Sequence, residues 1–227
     1  SAASSTNGSL FTHAAPPNHV AAAPPLPWNK NSMGTQAYGY FEPTNIIKVG
    51  TFYYSYIFAL QTLNSPAGGR CLMRTGNLSD PTSWRAWDGT TFSIAMRPPY
   101  DYPPTGPPGT PKSSGFAPNC ALVPNLQVSK SISFSNYLQK YLMVTMSGIW
   151  EGSTFSCGIF YSVSEDLFNW TPMKKIKPMD MPFGTGTQPN CKGGFFGVTN
   201  QYLGLIDHTS TDPNFNTSAQ KQYFYWA

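Results

Sequence analysis

The sequence predicts a nearly all-β protein, and its composition, its punctuation by Gly and Pro and an internal repeat all favour that fold class. Of the 227 residues, 15% are aromatic and only 11% are charged, and the chain carries 22 Pro and 20 Gly. Helices draw on Ala, Leu, Glu, Lys and Arg, whereas Tyr, Phe, Thr and Val separated by Gly and Pro favour strands and turns. A chain of this length can also bury a sizeable core.

The segment before the repeat differs from the rest of the chain. Residues 1–37 are rich in Ala, Pro, Ser and Asn, as in Ala14-Ala15-Pro16-Pro17, and show no alternation of polar and apolar positions. Such a composition is typical of an extended arm or linker. We therefore predict an arm over 1–37 and a folded β region over 38–227.

The first predicted repeat unit covers residues 40–97. A strand over 41–49 leads into the aromatic strand 51–60, which is apolar on both faces and is therefore expected in the middle of a sheet. A third strand follows over 70–75, and a fourth begins at Trp84.

A second unit over 128–180 repeats this order, with strands predicted over 128–134, 140–146 and 157–163 and a fourth opened by Trp170. The run Thr75-Gly76-Asn77-Leu78 before Trp84 matches Ser164-Glu165-Asp166-Leu167 before Trp170. A partial third unit is predicted over 190–227, because Pro189-Asn190-Cys191 repeats Pro118-Asn119-Cys120. Self-similarity of this kind indicates a repeat architecture.

The repeat also suggests how the cysteines pair. Four Cys allow three connectivities. If the units are equivalent, their disulfides are equivalent too, which gives Cys71–Cys120 and Cys157–Cys191. Each bond would join a third strand to the start of the next unit, and this matching favours a structural role over reactive thiols.

Paired cysteines, few charges and several glycosylation sequons together predict a secreted, extracellular glycoprotein. No apolar stretch reaches the roughly 20 residues that span a bilayer, so no membrane span is expected. The Asn-x-Ser/Thr sequons begin at Asn7, Asn77, Asn169 and Asn216.

Charge and histidine content argue against several other functions. The net charge is +4, and the densest basic run, 174–177, is too short to follow a nucleic acid backbone and is typical of a solvated strand edge. His13, His19 and His208 are scattered, so neither a metal cluster nor a Ser-His-Asp triad can be assembled. We expect no cofactor.

Two motifs carry a family resemblance. The run Ser164-Glu165-Asp166-Leu167-Phe168-Asn169-Trp170 resembles the blade motif of five-bladed β-propeller glycosidases, the arabinanase, xylosidase and invertase-like clan. Glu42-Pro43-Thr44-Asn45-Ile46-Ile47-Lys48 followed by Thr51-Phe52-Tyr53-Tyr54 looks like the blade opening of the same clan. The run from Cys71 to Gly89 is also similar to related uncharacterised secreted propellers. Together these motifs cover most of residues 40–180.

The resemblance implies a β-propeller with blades of four antiparallel strands. This chain holds roughly half to three-fifths of a five-bladed ring, so other copies or chains would complete the propeller, or its sheet closes in another way.

Glycoside cleavage requires two carboxyl groups about 5–10 Å apart. The resemblance places Glu42 where the clan has its first-blade catalytic Asp, on an innermost strand lining the channel. Glu is one methylene longer than Asp, and the matching stretch of the second unit, 129–132, contains no acid. Glu151 and Asp207, each following a predicted strand, are the candidates for the second carboxyl. A structural or binding role for Glu42 and a solvated loop position for the other two are the alternatives.

Four further residues are candidates for substrate contact. Trp87 and Trp150 would stack on sugar rings, although rim loops also use aromatic residues for packing. Arg74 would hold a sugar acid, with an ion pair to a nearby acid as the alternative. His208 stands beside Asp207.

The sequence therefore predicts a secreted, carbohydrate-related propeller that binds or cleaves an extracellular polysaccharide, and a glycoside hydrolase if it is an enzyme. The alternative is a non-catalytic structural or interaction propeller of an extracellular assembly. The two are separated by whether Glu42 faces another carboxyl within about 10 Å.

Overall fold

The computed structural model describes residues 3–4, 9–15, 19–22, 39–60, 68–96, 120–127, 130–179, 203–212 and 214–225. Over these ranges the ordered elements are strands, apart from the single 3-10 turn Pro81–Ser83. The prediction of an all-β protein is therefore confirmed. The chain divides into two compact units, the first formed by Ser1–Phe41 and Lys48–Leu122 and the second by Glu42–Ile47 and Val123–Ala227.

The first unit contains a short pair of arm strands and a larger sheet. In the arm, β1 (Ala3–Ser4) pairs antiparallel with β2 (Thr12–His13). The larger sheet has the order β3-β5-β6-β7-β8, and β4 also pairs with β5. Its strands are β3 (Gly39–Phe41), β4 (Ile47–Val49), β5 (Phe52–Leu60), β6 (Gly69–Thr75), β7 (Arg85–Trp87) and β8 (Phe92–Ala95).

One face of this sheet forms the core of the first unit, because alternate residues of a strand point to the same side. Ala21 and Ala22 of the arm pack against it. Cys71 and Cys120 form a disulfide inside this core, with their Cα atoms 5.9 Å apart, which is the pairing that the repeat predicts. Closing a loop of 49 residues contributes about 4 kcal/mol. The buried core residues are Ile57, Ala59, Cys71, Met73, Trp84, Ala86, Ile94, Met96 and Cys120.

The second unit is built on a five-stranded sheet in the order β12-β11-β10-β9-β14. Its strand β14 runs parallel to β9, whereas the other neighbours are antiparallel. A separate pair, β13 (Gly204–Ile206) and β15 (Tyr223–Tyr225), packs on the same core through Leu205 and Phe224. The sheet strands are β9 (Ser131–Ser135), β10 (Lys140–Glu151), β11 (Thr154–Ser164), β12 (Lys174–Pro178) and β14 (Thr217–Ser218).

The turn after β11 is held by side chains that accept hydrogen bonds from the backbone. The Ser164 hydroxyl accepts from the N–H groups of Asp166 at 3.2 Å and Leu167 at 3.1 Å. One Asp166 oxygen then accepts from the N–H of Asn169 at 2.8 Å. Leu167 has a φ of 71°, and the indole N–H of Trp170 donates to the Leu167 carbonyl at 3.0 Å.

The matching turn after β6 in the first unit uses the same chemistry. The Thr75 hydroxyl accepts from the N–H of Asn77 at 2.9 Å, and the Asn77 side-chain oxygen accepts from the N–H of Ser79 at 3.0 Å. Both turns thus start with a hydroxyl residue and continue with Asx two positions later, which is a chain-reversing arrangement. The alignment of the two units made from sequence therefore corresponds to matching local structure.

Two predicted strand limits are wrong. The strand expected over 41–49 is interrupted, because Glu42 has a φ of 49° and Pro43 has no N–H to donate to a sheet. The fourth strand of the predicted repeat unit 128–180 begins at Lys174 rather than at Trp170, since Trp170 forms an isolated bridge back to Ser164 as the turn closes. Cys191, the predicted partner of Cys157, and Asn7 lie outside the described residues. Within the described ranges, none of the helical segments has the length and apolar character to cross a membrane.

Candidate functional site

Glu42 lies between β3 and β4, so the expectation that it occupies an innermost strand is wrong. Its carboxylate Oε1 is 3.0 Å from Nζ of Lys130, and 47% of its side chain is exposed. A carboxylate beside an ammonium group is stabilised in its charged form. The observed position fits an ion pair that ties the 42–47 segment to Lys130, just before β9, within the second unit.

A backbone clamp beside Glu42 explains why this segment belongs to the second unit. The Asn45 amide donates to the Ile132 carbonyl at 2.9 Å and accepts from the Ile132 N–H at 2.8 Å. The side chain thereby pairs with β9 as a neighbouring peptide group would. No sequence pattern indicates this contact, because the two residues are 87 positions apart.

Glu151 lies at the end of β10 and is ion-paired with β12. Its Oε2 is 2.7 Å from Nζ of Lys175, which also contacts the Ser156 hydroxyl. Hydrogen bonds from Lys175 and Ser156 hold the pKa of the Glu151 carboxyl below its ordinary value. At neutral pH this group is an ionised, paired carboxylate.

Asp207 is buried and closes the turn that follows β13. One oxygen accepts from the N–H of Thr209 at 2.8 Å and from its hydroxyl at 2.7 Å. The other accepts from the N–H of Ala219 at 2.7 Å. These bonds, led by that from the Thr209 side chain, lower the pKa of the carboxyl. The arrangement is that of a structural turn residue.

The three candidate carboxyl groups therefore share one property, which is that each is bound by donors within the second unit. A glycosidase acid needs a pKa raised towards the working pH so that it can deliver a proton. For Glu151 and Asp207 the pKa moves in the opposite direction. This arrangement suits folding and ligand hydrogen bonding better than proton transfer.

Trp150 is an exposed aromatic platform with a rigid support. The residue is 56% exposed, and its ring packs edge-on against Phe155, with centroids 5.3 Å apart. The Phe155 ring lies directly over Gly148, where any Cβ would overlap it. The Trp150 backbone is clamped by Gln127, whose amide accepts from its N–H and donates to its carbonyl, both at 3.2 Å.

A second group of exposed rings lies on the small sheet of the same unit. His208 packs edge-on against Tyr223, with centroids 4.9 Å apart. Tyr223 and Tyr225 are 59% and 62% exposed and, two residues apart on β15, point to the same side. Neither tyrosine was selected from the sequence, because a Tyr in a short terminal strand is ordinarily a packing residue.

In the first unit, Arg74 is stacked between two aromatic rings. Its guanidinium carbon lies 4.1 Å from the Phe52 ring centroid and 4.2 Å from that of Phe92. Trp87 is half-buried and packs against the Phe92 ring at 5.1 Å. The alternative expected for Arg74, an ion pair with a nearby acid, is not found among the described residues. Phe52 and Phe92 became visible as its partners only through the strand register.

The described sequons differ in the state of their acceptor nitrogen. Asn77 is exposed, and its side-chain oxygen accepts from the N–H of Ser79. The amides of Asn169 and Asn216 instead donate to Asp166 and Asp212, each at 2.7 Å.

Comparison with family models, with curated proteins and with solved structures gave no match in any of the three.

Proposed function

We propose that this chain is an extracellular protein of the β-propeller type that binds a polysaccharide without cleaving it. The observation that carries the proposal is the Trp150 platform, an exposed indole held by Phe155 and by the Gln127 clamp. A rigid aromatic ring loses little conformational entropy on binding and offers a flat apolar face, as the apolar face of a sugar ring requires. The exposed His208, Tyr223 and Tyr225 supply further surface of the same kind.

The chemistry of the acids favours binding over hydrolysis. Glu42 and Glu151 are each paired with a lysine, and Asp207 is engaged by turn hydrogen bonds. Ion-paired carboxylates and ammonium groups at a surface are suitable hydrogen-bonding partners for sugar hydroxyls. None of these three carboxylates is the protonated carboxyl group that glycoside cleavage needs.

The propeller part of the proposal is supported by the repeated unit. Each unit contains an antiparallel β-meander, the third strand ends in a turn of matching hydrogen bonds, and a buried Trp follows it. The repetition of this order within one chain is typical of a repeat architecture.

The experiment is a binding measurement with immobilised arabinan, xylan and polygalacturonate, comparing the wild-type chain with Trp150→Ala. We expect Trp150→Ala to weaken binding to the retained polysaccharide at least tenfold, since an aromatic stacking contact is lost. Tyr137→Ala is the matched control, because Tyr137 is a comparably exposed ring (61%) in the β9–β10 turn. Equal binding by wild type and Trp150→Ala would refute the assignment of the platform.

A further inference from the structure

The half-buried aromatic face around Arg74 contains a second arginine, Arg85, and neither one is ion-paired with an acid of the described residues. Arg74 and Arg85 are direct cross-strand partners of β6 and β7, so their side chains leave the same face of the sheet. Like charges directly opposite each other destabilise a sheet. The Arg74–Arg85 pair therefore lowers the stability of the sheet unless an anionic ligand neutralises the two positive charges.

Among the residues that the structure describes, the groups around the two arginines are aromatic rings and backbone carbonyls. Arg74 lies between Phe52 and Phe92, and Nη1 of Arg85 donates to the carbonyls of Thr82 and Trp84, both at 2.8 Å. Neither arginine takes part in an ion pair within the described part of the chain.

The acid closest along the strand hairpin is also occupied. Asp88 accepts hydrogen bonds from the N–H groups of Thr90 and Thr91, each at 2.7 Å, and from the Ser93 hydroxyl at 2.5 Å. These bonds, led by that from Ser93, hold the pKa of the Asp88 carboxyl far below its ordinary value. Asp88 is therefore used within its own turn.

We infer that this face of the first unit binds the anionic groups of an acidic polysaccharide, with Arg74 and Arg85 holding the acid and the rings beside them contacting the sugar. The inference rests on the proposed function and names its substrate class. A guanidinium stacked between two rings is fixed in orientation, and its free N–H edge matches a carboxylate or sulfate. Tyr54 and Trp87, both packed on Phe92, supply aromatic surface next to that edge.

The test uses three immobilised polymers: polygalacturonate as the carboxylate probe, dextran sulfate as the sulfate probe and dextran as the uncharged probe. We expect both acidic polymers to bind at least tenfold more tightly than dextran, and the difference to shrink as salt is raised. Whichever acidic polymer binds more tightly identifies the anionic group, carboxylate or sulfate. Single-stranded DNA serves as a polyanion of another class.

The variant is Arg74→Met, which keeps an unbranched side chain between the two rings and removes the charge. Lys48→Met is the matched control, because it removes one charge from the same unit, and Lys48 lies over Tyr53, whose neighbour Tyr54 points to the opposite face. We expect Arg74→Met to weaken binding of the acidic polymers about tenfold or more and Lys48→Met to change it less than about twofold. Arg74→Lys keeps the charge without the planar fork and is expected to lose several-fold, which tests the site even if Arg74→Met does not fold.

Different failures lead to different conclusions. Equal losses in Arg74→Met and Lys48→Met would refute the site, because binding would then follow net charge alone. DNA binding with the same Arg74 dependence would also refute it. Tight binding to dextran that Arg74→Met does not change would overturn this inference and leave the proposed function in place. Absence of binding to every polysaccharide, neutral or acidic, would overturn both.

Discussion

Trp170 is the residue through which the repeated turn can be tested most sharply. The indole is 3% exposed, and its N–H donates to the carbonyl of Leu167, which is itself 3% exposed. Trp170→Phe keeps most of the apolar contact but removes the indole N–H that donates to the Leu167 carbonyl. We expect a loss of about 0.5–1.5 kcal/mol, because a buried hydrogen bond is lost. Trp170→Ala removes the whole ring, and we expect about 3–5 kcal/mol.

The assay is equilibrium unfolding in urea, followed by circular dichroism without reductant so that disulfides stay intact. Trp150→Phe is the control, because the Trp150 ring is 56% exposed and such surface replacements change stability by less than about 0.5 kcal/mol. The order of stability should be wild type and Trp150→Phe first, then Trp170→Phe, then Trp170→Ala. A Trp170→Phe protein that unfolds at the wild-type urea midpoint would refute the role given to this hydrogen bond.

Three further predictions concern packing, pH and modification. Gly148→Ala should lower the free energy of unfolding by about 1–3 kcal/mol, because the added Cβ overlaps the Phe155 ring. Gly76→Ala should change the urea midpoint far less, since the nearest neighbour of its Cβ would be 3.8 Å away. Equal midpoints for the two variants would contradict this packing. The folded chain should lose stability as the pH falls below about 4. Hydrogen bonds lower the carboxyl pKa values of Asp88, Glu151 and Asp207 below their ordinary 3.8 to 4.5, so the unfolded state takes up protons first. A thermal midpoint that is constant from pH 7 to pH 3 would argue against this pH dependence. After expression through a eukaryotic secretory pathway, peptide mass spectrometry should find a glycan on Asn77 and none on Asn216. Asn77 is exposed, whereas Ser218, which completes the Asn216 sequon, is buried in the sheet. A glycan on Asn216 and none on Asn77 would refute this prediction.

The fold class and the central strands could be predicted because their signals are local. The apolar runs that become β5, β10 and β11 are long, and aromatic and β-branched residues in such runs favour strands wherever they lie. The correspondence of the two turns was also visible, because the runs 75–78 and 164–167 align in the sequence and each turn is held by hydrogen bonds within a few residues. The Cys71–Cys120 pairing followed from the repeat.

The candidate site was harder to predict because its chemistry depends on distant partners. The pairing of Glu42 with Lys130 joins residues 88 positions apart, and Glu151 meets Lys175 across 24 positions. No local sequence pattern indicates such contacts, so the sequence predicted these acids as candidates for catalysis. Likewise, the two-residue strand β14 carries too little sequence to show that it pairs with β9. The arginine pair became visible only when the register placed Arg74 opposite Arg85.

We propose that the chain binds a polysaccharide and does not cleave it. This proposal is tested most directly by measuring binding and the release of reducing ends in the same samples of polygalacturonate and arabinan, with wild type, Trp150→Ala and Glu42→Gln. We expect retention of the wild type and of Glu42→Gln, weakened retention of Trp150→Ala, and no release of reducing ends by any of them. Reducing ends that are released by the wild type and lost in Glu42→Gln would refute the proposal and identify Glu42 as catalytic.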